Sequence, residues 1–352
     1  MSRADPSPVA VLAVDGGNSK TELVLVGWDG RLIAGVHGPT TSHQVVGMAA
    51  GAERLARLAD EARRAARPPL GRTAESRASV ASCTVAGADS AGDVRRLDRA
   101  YLSAGLADEV RVVNDAFAPV RAGSDRGWGV GVICGAGVNA AGIAPDGRTA
   151  RLAAMGNTSG DWGGGTDVGI AGLGAAVRAR DGRGPRTSLE RLVPAHYGLK
   201  RPLDVTFAFE SDRIHWTRVR ELSPVVFGAA HAGDAVARAI VDRLADEVAT
   251  MATAIIRRLH MTRRDVDVTL AGGVFRANDP DFEARIAAGI HAVTPLARVH
   301  RLDPPPVLGA ALLGFDHLRR TGALTESAHD AAVARLRRDL GPDTIARHVG
   351  GD

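Results

Sequence analysis

The sequence has little cysteine and no long apolar stretch. Its two cysteines, Cys83 and Cys134, are far apart, outside the CxxC spacing of zinc and iron–sulfur sites, so neither a metal–thiolate site nor a disulfide framework is predicted. No apolar run approaches the ~18 residues of a membrane-spanning helix, and residues 1–9 are too polar for a secretory signal. These absences predict a cytoplasmic protein without a membrane partner.

An excess of charge of one sign is also missing. The chain of 352 residues has 44 Lys and Arg against 40 Asp and Glu, a net charge of +4, and no basic run is longer than two residues. Acids and bases are interleaved and aromatic residues are few, so no nucleic-acid partner is predicted. The length predicts two domains, each large enough to bury its own core.

Glycine, in contrast, is abundant, and its 42 residues cluster in four places. The first two clusters, Asp15–Thr21 and Gly135–Asn139, each join two apolar runs and are each followed by an Asp-Gly pair, Asp29-Gly30 or Asp146-Gly147. This pattern is typical of strand, tight turn, strand, hairpin and strand. Its repetition predicts that the two halves of the chain are copies of one unit.

A tight glycine turn lets backbone N–H groups converge on an anion. Either turn alone is best explained as an ordinary hairpin, but the pair, with Asp15 before the first turn and Lys20 inside it, favours a nucleotide. An acid beside phosphate ligands is the usual means of holding Mg²⁺. No P-loop pattern is present, and the GxGxxA match at Gly135 opens no helix because Pro145 follows, so a dinucleotide fingerprint is excluded.

The third cluster, Met155–Gly169, and the fourth, Gly272-Gly273, give weaker signals. The third is typical of a ligand loop that ends at a helix N-terminus, with Asp161 available to sugar-like hydroxyls, and a flexible linker is the alternative. The fourth follows a predicted helix over 234–259 and a strand over 266–270. Paired glycines there would let a flat group such as adenine lie against the backbone, although they are also a common strand end.

Asp115 follows a short predicted strand and precedes a helix. Ligands in open α/β sheets collect at the carboxyl ends of strands, where a carboxylate could take the proton of an attacking hydroxyl in phosphoryl transfer. The alternative is a helix N-cap, which the residues alone favour.

The order of these motifs resembles a known family. The segments are Asp15–Thr21, Val113–Ala116, Ile133–Ala140, Gly160–Gly163 and Leu270–Val274. Together they resemble the N-acetylglucosamine kinase and BadF/BadG/BcrA/BcrD ATPase family of the actin, Hsp70 and hexokinase superfamily, over about residues 9 to 315. The resemblance implies an α/β fold of two duplicated ribonuclease-H-like (actin-like ATPase) domains with a nucleotide cleft between them, and ATP and Mg²⁺ as cofactors.

The resemblance also implies residue roles. Asp115 is the implied catalytic base and Asp15 the residue that positions Mg²⁺, which reverses the preference for an N-cap at Asp115. The implied nucleotide-binding residues are Gly16, Gly17, Asn18, Lys20, Thr21, Gly135, Ala136, Gly137, Gly272 and Gly273. The implied substrate-binding residues are Ser42, His43, Asn114, Asp115, Asn139, Gly156 and Asp161.

Some positions depart from the family pattern. Ala136 and Val138 replace two hydroxyl residues of Gly-Thr-Gly-Ser-Asn, Ser42 replaces the Asn of Asn-His, Trp162 replaces the Glu of Gly-Asp-Glu-Gly, and Ala153–Gly156 replaces Gly-Gly-Trp-Gly. Most of these positions would surround the sugar. Glucosamine, another amino sugar or a substituted hexose is therefore an alternative to N-acetylglucosamine.

The predicted function is ATP-dependent phosphorylation of the 6-hydroxyl of an amino sugar, N-acetylglucosamine or glucosamine. One alternative is a BadF-type ATPase that drives a redox partner, but two distant cysteines cannot supply its iron–sulfur ligands. A second alternative is a catalytically degenerate sugar-binding regulator, which the lost hydroxyls favour and the retained Asp115 and Asp161 oppose.

The predicted domains are residues 1–118 and 119–305, followed by a helix over 306–322 that returns to the first domain and an extension over 323–352. An amphipathic helix is predicted over 327–340. Its apolar face would dock on the chain itself or on a second copy in a homodimer, and we favour the first.

Overall fold

A computed structural model describes residues 8–71 and 77–341. The strands are β1 (Val11–Gly16), β2 (Lys20–Val26), β3 (Leu32–Pro39), β4 (Ala78–Val85), β5 (Ala107–Asn114), β6 (Gly129–Cys134), β7 (Val138–Ile143), β8 (Thr149–Arg151), β9 (Asp267–Ala271) and β10 (Arg298–Arg301). The helices are α1 (His43–Val46), α2 (Met48–Ala65), α3 (Ala91–Ser103), α4 (Phe117–Ala122), α5 (Gly164–Arg180), α6 (Leu189–His196), α7 (Pro202–Glu210), α8 (Leu222–His231), α9 (Ala235–Arg258), α10 (Pro280–His291), α11 (Val307–Arg320) and α12 (Glu326–Asp339). Short 3₁₀ helices lie at Gly156–Ser159, Trp216–Glu221 and Gly273–Ala277.

The chain divides into two compact units. The first contains the described residues up to Gly127 and from Leu302 onwards, and the second contains Trp128–Arg301. The domain boundaries inferred from the sequence, at 118 and 305, stay predictions. Residues 342–352 of the predicted extension lie outside the described residues.

The first unit is built on a sheet with the strand order β3-β2-β1-β4-β5. The strands β1, β2 and β3 form an antiparallel meander, whereas β1, β4 and β5 are parallel. Both faces are covered: Leu12 and Val14 pack with α2 and α3, while Val11 and Ala13 pack with α4, α11 and α12. A strand buried on both faces reads as the continuous apolar run seen in the sequence. The carboxyl ends of the three parallel strands meet at one edge.

The second unit repeats this arrangement with the strand order β8-β7-β6-β9-β10. Again the first three strands are antiparallel neighbours, and β6, β9 and β10 are parallel. Gly30 and Gly147 occupy equivalent hairpins at φ 77° and 83°, the left-handed region that favours glycine. The predicted duplication of two α/β halves is therefore confirmed.

The long helix α9 begins where the sequence places it. Asp234 is its N-cap and accepts hydrogen bonds from the amides of Val236 and Ala237. Its buried residues, Val241, Leu244 and Val248 among them, recur at helical spacing and join the core of the second unit. Among the residues that the structure covers, no helix is long and apolar enough to cross a membrane.

The C-terminal helix α12 docks on the chain itself. Ala332, Leu336 and Leu340 are fully buried in the same core as Phe315 of α11. The approach is so close that a Cβ on Gly30 would lie 2.1 Å from the carbonyl oxygen of Ala332. The predicted docking in cis is thus confirmed.

A cluster of charges ties α12 to α11 and α4. The Asp316 carboxylate accepts hydrogen bonds from Arg121 Nε at 2.7 Å and Arg121 Nη2 at 3.1 Å, and His329 Nε2 lies 2.9 Å from it. His329 Nδ1 lies 3.0 Å from Asp330. The hydrogen bond to Asp316 raises the pKa of His329. Despite its burial, the bonds from His329 and Arg121 lower the pKa of Asp316 to about 2.

This cluster predicts a pH dependence of stability. Because its folded-state pKa is raised, the charged His329 stabilises the fold fully below the unfolded pKa of ~6.5, and this stability is lost as pH rises through the folded pKa. The lowered pKa of Asp316 stabilises the fold at pH values above ~3.9, the ordinary pKa of an aspartate. This stability is lost as pH falls toward the folded-state pKa of about 2. We expect His329→Gln, which keeps a donor but not the charge, to lose about 1 kcal/mol at pH 5–6 and less at pH 9.

Urea unfolding of both proteins across this pH range is the measurement. His231→Gln, at the exposed end of α8, is the control and should follow the wild type. A constant difference between wild type and His329→Gln at every pH would show that the histidine acts without its charge.

Candidate functional site

The first group of predicted residues lies at the carboxyl edge of the first sheet. Asp15 stands in register with Glu22 of β2 on one side and Thr84 of β4 on the other. Asp115 comes directly after β5, and its amide donates to the Val85 carbonyl at 3.3 Å. The parallel ends of β1, β4 and β5 therefore bring Asp15 and Asp115 to the same edge.

Asp15 has an unusual electrostatic environment. Burial and the negative charges of Glu22 and Asp115 raise its pKa to about 8, against the opposing effects of Lys20 and a hydrogen bond from Thr84 Oγ1. Ionisation of Asp15 therefore costs free energy in the protein alone. A cation bound beside this carboxylate would offset that cost, because its positive charge favours the ionised form.

Glu22 also lies at this edge, and the sequence reasoning did not single it out. Its side chain is buried and accepts a hydrogen bond from Lys20 Nζ. The signal was available: a hairpin turn between Gly16 and Lys20 pairs position 22 with position 15 across the antiparallel ladder.

The tip of the first turn is open to a ligand, but Thr21 is not. Asn18 is exposed, and its amide donates no hydrogen bond within the residues described. Thr21 is fully buried, and its hydroxyl lies 3.0 Å from Thr41 Oγ1 and accepts the Thr41 amide at 3.0 Å. Thr21 was expected to line the phosphates. Its side chain instead points to the opposite face of the strand from Lys20 and Glu22, and its hydroxyl ties β2 to the segment after β3.

Ser42 and His43 lie beside this turn. Thr40 Oγ1 donates to the Gly17 carbonyl at 2.8 Å and so joins their loop to the turn. His43 packs against Gly87, where a Cβ would lie 2.6 Å from His43 Cε1. Ser42 Oγ and His43 Nδ1 are buried atoms with no hydrogen-bond partner in the described part of the chain. Both could bind a hydroxyl or amide of a ligand.

Asn114 is held from two sides. Its Nδ2 donates to Asp89 Oδ1 at 3.0 Å, and its Oδ1 accepts the Ala116 amide at 3.1 Å. Asp89 also accepts Gln44 Nε2 at 3.1 Å. Asn114 therefore shapes the turn that carries Asp115. The N-cap of α4 is Ala116, not Asp115, which weakens the capping explanation of Asp115.

The second group of predicted residues lies at the carboxyl edge of the second sheet. Gly135 and Gly137 follow β6, and a Cβ on either would meet no atom within 4 Å. Gly272 follows β9 at φ 112°, and a Cβ there would lie 2.3 Å from the Cys134 carbonyl oxygen. The two glycine turns therefore adjoin, and Gly273, also with open space at its Cβ position, leaves room beside them.

Helix α5 begins against the same turn. The amides of Gly165 and Thr166 donate to the carbonyls of Gly135 and Ala136 at 2.8 and 3.0 Å, and the Gly163 amide donates to Asp167. These donors are already used, so the start of the helix supports the turn. The role of the preceding loop and of Asp161 in ligand binding stays a prediction. The Ala136 amide, at the exposed tip, donates no hydrogen bond among the described residues.

The predicted sugar-contacting residues of the second unit are less closely gathered. Asn139 is half-buried on β7, and its Oδ1 accepts the Ala140 amide at 2.8 Å. Gly156 and Asp161 lie in the exposed loop before α5, where the Gly156 carbonyl accepts the Asp161 amide at 3.1 Å and Ser159 Oγ donates to the Asp161 carboxylate.

Two altered positions have structural roles. Val138 stands where the family pattern has a hydroxyl residue, and its side chain is buried in the core of the second unit. It therefore contributes apolar packing at this position. Trp162 is half-buried and carries the Arg243 guanidinium over its ring at 3.9 Å, a cation–π contact with α9.

The described part of the protein alone does not supply a full set of ligands for a metal ion, so a bound substrate would have to supply some of them. Among residues 8–71 and 77–341, no group of three or more His, Cys, Asp or Glu side chains is arranged to hold one. Mg²⁺ commonly keeps several waters and takes only one or two carboxylates together with substrate phosphates. The raised pKa of Asp15 and the unpartnered, buried Glu22 Oε2 fit such an ion.

Solved structures share this fold of two α/β units. A solved structure from Chromobacterium violaceum, assigned by its name to the N-acetylglucosamine kinases, superposes with a TM-score of 0.69 at 22% identity, covering 88% of this chain and 100% of that one. A ROK hexokinase from Thermus thermophilus gives 0.50 at 21% identity, covering 88% and 99%. The predicted fold class is confirmed.

The sequence comparisons are more specific. The chain matches the BadF/BadG/BcrA/BcrD ATPase family over residues 12–314 and belongs to it. The N-acetylmuramic acid/N-acetylglucosamine kinase of Clostridium acetobutylicum is 30% identical over 75% of this chain and 85% of its own length. The N-acetyl-D-glucosamine kinase of Dictyostelium discoideum is 24% identical over 87% of this chain and 97% of its own length. The family identified from the motifs is confirmed.

Proposed function

We propose that this protein, a sugar kinase by its family and by the activities of its relatives, transfers the γ-phosphoryl group of ATP to the 6-hydroxyl of an amino sugar. The observation that carries the proposal is the acidic edge of the first sheet, where Asp15 and Asp115 lie close enough for their charges to interact. The candidate sugars are N-acetylglucosamine and glucosamine. A cytoplasmic location and a homodimer remain predictions.

Asp115 is the proposed general base. Its carboxylate would take the proton of the sugar hydroxyl as the oxygen forms a bond to the γ-phosphorus and the bond from that phosphorus to the bridging oxygen of ADP breaks. Asn114, bonded to Asp89 and to the Ala116 amide, holds the loop that carries this carboxylate. Positioning of this kind supplies much of the rate of phosphoryl transfer, because the protein performs little covalent chemistry.

The nucleotide is proposed to lie on the glycine turns. In the first unit, the backbone of Gly16, Gly17 and Asn18 and the ammonium of Lys20 would contact phosphates. Asp15 would hold Mg²⁺, which when bound neutralises the charge that develops on the phosphates.

In the second unit, the backbone of Gly135, Ala136 and Gly137 would also contact phosphates, while Gly272 and Gly273 would face the adenosine. The open space above Gly135, Gly137 and Gly273 supports this assignment.

The proposed sugar contacts are Ser42, His43, Asn139, Gly156 and Asp161. Support is strongest at Ser42 and His43, whose buried, unpartnered polar atoms require a ligand or water to be satisfied. The relative named for N-acetylmuramic acid makes that sugar a further candidate to test.

Two other functions have less support. A redox-driving ATPase needs clustered thiolates, whereas Cys83 and Cys134 are both buried and lie in different units. Burial raises the pKa of both thiols, that of Cys134 to about 12. A degenerate regulator is favoured by Ala136, which presents no hydroxyl at the exposed turn, and is opposed by the retained acidic edge.

The discriminating experiment is a coupled ADP-release assay. The panel is glucosamine, N-acetylglucosamine, N-acetylmannosamine, N-acetylmuramic acid, glucose and buffer alone. We expect turnover with at least one amino sugar and none in buffer. Equal turnover in buffer would favour the ATPase, and no turnover with any sugar would favour the regulator.

Asp15→Asn is expected to change stability and activity in opposite directions. The pKa of Asp15 is about 8 in the folded protein and ~3.9 in the unfolded chain. Between these values Asp15 is ionised only in the unfolded state, so its contribution to wild-type stability falls as pH rises from 4 to 8. The asparagine variant lacks this decline and should melt at higher temperature at pH 8 in EDTA, while losing most of its activity with Mg·ATP.

Melting curves in EDTA at pH 5 and pH 8 test this prediction. Asp108→Asn, an exposed acid on β5, serves as the control and should show the wild-type dependence. A variant that melts below the wild type at both pH values would mean that Asp15 is ionised and stabilising without a metal.

A further inference from the structure

Glu22 is a buried carboxylate at the ligand edge to which neither the resemblance nor the proposed mechanism gives a role. It is only 8% exposed. It stands directly opposite Asp15 in the antiparallel β1–β2 ladder, so the two side chains share a face of the sheet. Like charges directly opposite each other destabilise a sheet. When both are ionised, the pair therefore costs stability in the protein alone, as is common at functional sites.

The two oxygens of Glu22 have different surroundings. Oε1 accepts a hydrogen bond from Lys20 Nζ. Oε2 is fully buried and has no hydrogen-bond partner among the described residues. Leaving a buried carboxylate oxygen unsatisfied costs free energy. Water or a ligand at this edge of the sheet would satisfy it.

The charges around this oxygen indicate what completes it. Glu22 and Asp115 are the neighbours whose negative charges act on Asp15, and Lys20 is the neighbouring cation that opposes them. Three carboxylates and one ammonium leave an excess of two negative charges when all are ionised. Carboxylate oxygens in excess, beside the Thr84 hydroxyl, are ligands for a hard divalent cation that retains part of its water shell.

We propose that Glu22 is a positioning residue for the divalent cation of the bound nucleotide. Its Oε2, with the Asp15 carboxylate, receives the ion or one of its waters, while its Oε1 holds the Lys20 ammonium beside the phosphates. One carboxylate thus sets the relative positions of both cations that face the nucleotide. The inference rests on the proposed function, because it assumes that the first turn binds Mg·ATP.

The test is metal binding without sugar. Free Mn²⁺ is measured by electron paramagnetic resonance as it is titrated into protein saturated with ADP, and ADP binding in EDTA is measured by calorimetry. We expect Glu22→Gln to weaken Mn²⁺ binding at least tenfold and ADP binding in EDTA less than threefold. Above the Asp15 pKa of about 8, where both carboxylates are ionised, the variant should also melt at higher temperature in EDTA, because it removes one of two like charges.

Two further variants make the test decisive. Glu22→Asp keeps the charge on a shorter side chain and should recover part of the Mn²⁺ affinity. Glu53→Gln removes a carboxylate that is 71% exposed and paired with Arg57, and should bind Mn²⁺ as the wild type does.

Wild-type Mn²⁺ affinity in Glu22→Gln would overturn the proposal. An equal loss of Mn²⁺ and of metal-free ADP affinity would also overturn it, since Glu22 would then only anchor Lys20. If Glu22→Gln does not fold, the test falls to Glu22→Asp, and wild-type Mn²⁺ affinity in that variant would overturn the proposal. The metal-binding experiment contains no sugar, so its outcome does not depend on which sugar is phosphorylated. Failure of the sugar-kinase proposal would be seen in the ADP-release assay instead.

Discussion

Replacing Asp115 by Asn is expected to lower kcat by about 10²–10⁴-fold, the usual contribution of a general base. Asparagine has nearly the same shape but cannot accept the proton of the sugar hydroxyl. Asp115 is not among the residues proposed to contact the phosphates or the cation, so binding of Mg·ADP should change little. The expected result is a loss in kcat with nearly unchanged nucleotide affinity.

The coupled ADP-release assay measures kcat with the best sugar of the panel, and calorimetry measures Mg·ADP affinity. Asp108→Asn is the matched control, because Asp108 lies on the same strand, β5, with its side chain 64% exposed. It should retain wild-type kcat. If Asp115→Asn keeps kcat within about threefold of the wild type, Asp115 is a structural residue of the β5–α4 turn and the proposed mechanism is wrong.

Gly169→Ala is expected to give the second large effect, on stability. Gly169 lies in α5 where the helix passes the segment before α8, and a Cβ there would lie 2.1 Å from the Val219 carbonyl oxygen. Relief requires movement of backbone, and overpacking of a core typically costs 1–3 kcal/mol or more. We expect a loss of at least about 2 kcal/mol in the free energy of unfolding of the second unit.

The same helix contains its control. A Cβ on Gly174 would meet no atom within 4 Å, so Gly174→Ala should gain about 0.5–1 kcal/mol from helix propensity and reduced unfolded-state entropy. Opposite signs for one chemical change in one helix would isolate the close approach as the cause. A destabilised Gly174→Ala, or a neutral Gly169→Ala, would contradict the packing described for α5.

Tryptophan fluorescence in urea is a suitable measurement. Trp128, Trp162 and Trp216 lie in the second unit and only Trp28 in the first, so the signal reports mainly the unit that contains both substitutions. Two units need not unfold in one transition. The midpoint of the fluorescence transition should therefore be compared with that of circular dichroism before free energies are derived.

Much of the fold was predictable because the signals are local. Glycine-rich turns between apolar runs predicted the β1–β2 and β6–β7 connections, and their repetition predicted the duplicated sheets. The helix predicted over 234–259 is found at Ala235–Arg258, since its cap and apolar spacing are written in consecutive residues. Asp115 was also locatable, because a polar residue after an apolar strand marks a carboxyl edge.

The parts of the site that sequence reasoning missed depend on contacts between distant segments. Thr21 was expected to face phosphate, but strand pleat and its bond to Thr41 place it on the other face. The segment before α5 was expected to be a ligand loop, but the sequence did not show that its end is tied to the second glycine turn, where the carbonyls of Gly135 and Ala136 accept the amides of Gly165 and Thr166. Asp89, which holds both Gln44 and Asn114, belongs to no motif and is recognisable only when three loops are seen together.

By itself, the sequence determined the class of fold, the family and the residue types available for chemistry, because hydrophobic periodicity, turn residues and motif order are properties of short segments. Only the tertiary structure decided which side chains share a face and which polar atoms lack partners. Glu22 shows the difference: in the sequence it is one acid in a strand, and in the sheet it faces Asp15 with a buried, unsatisfied oxygen. Charge interactions and desolvation depend on distance and burial, and the folded chain sets both.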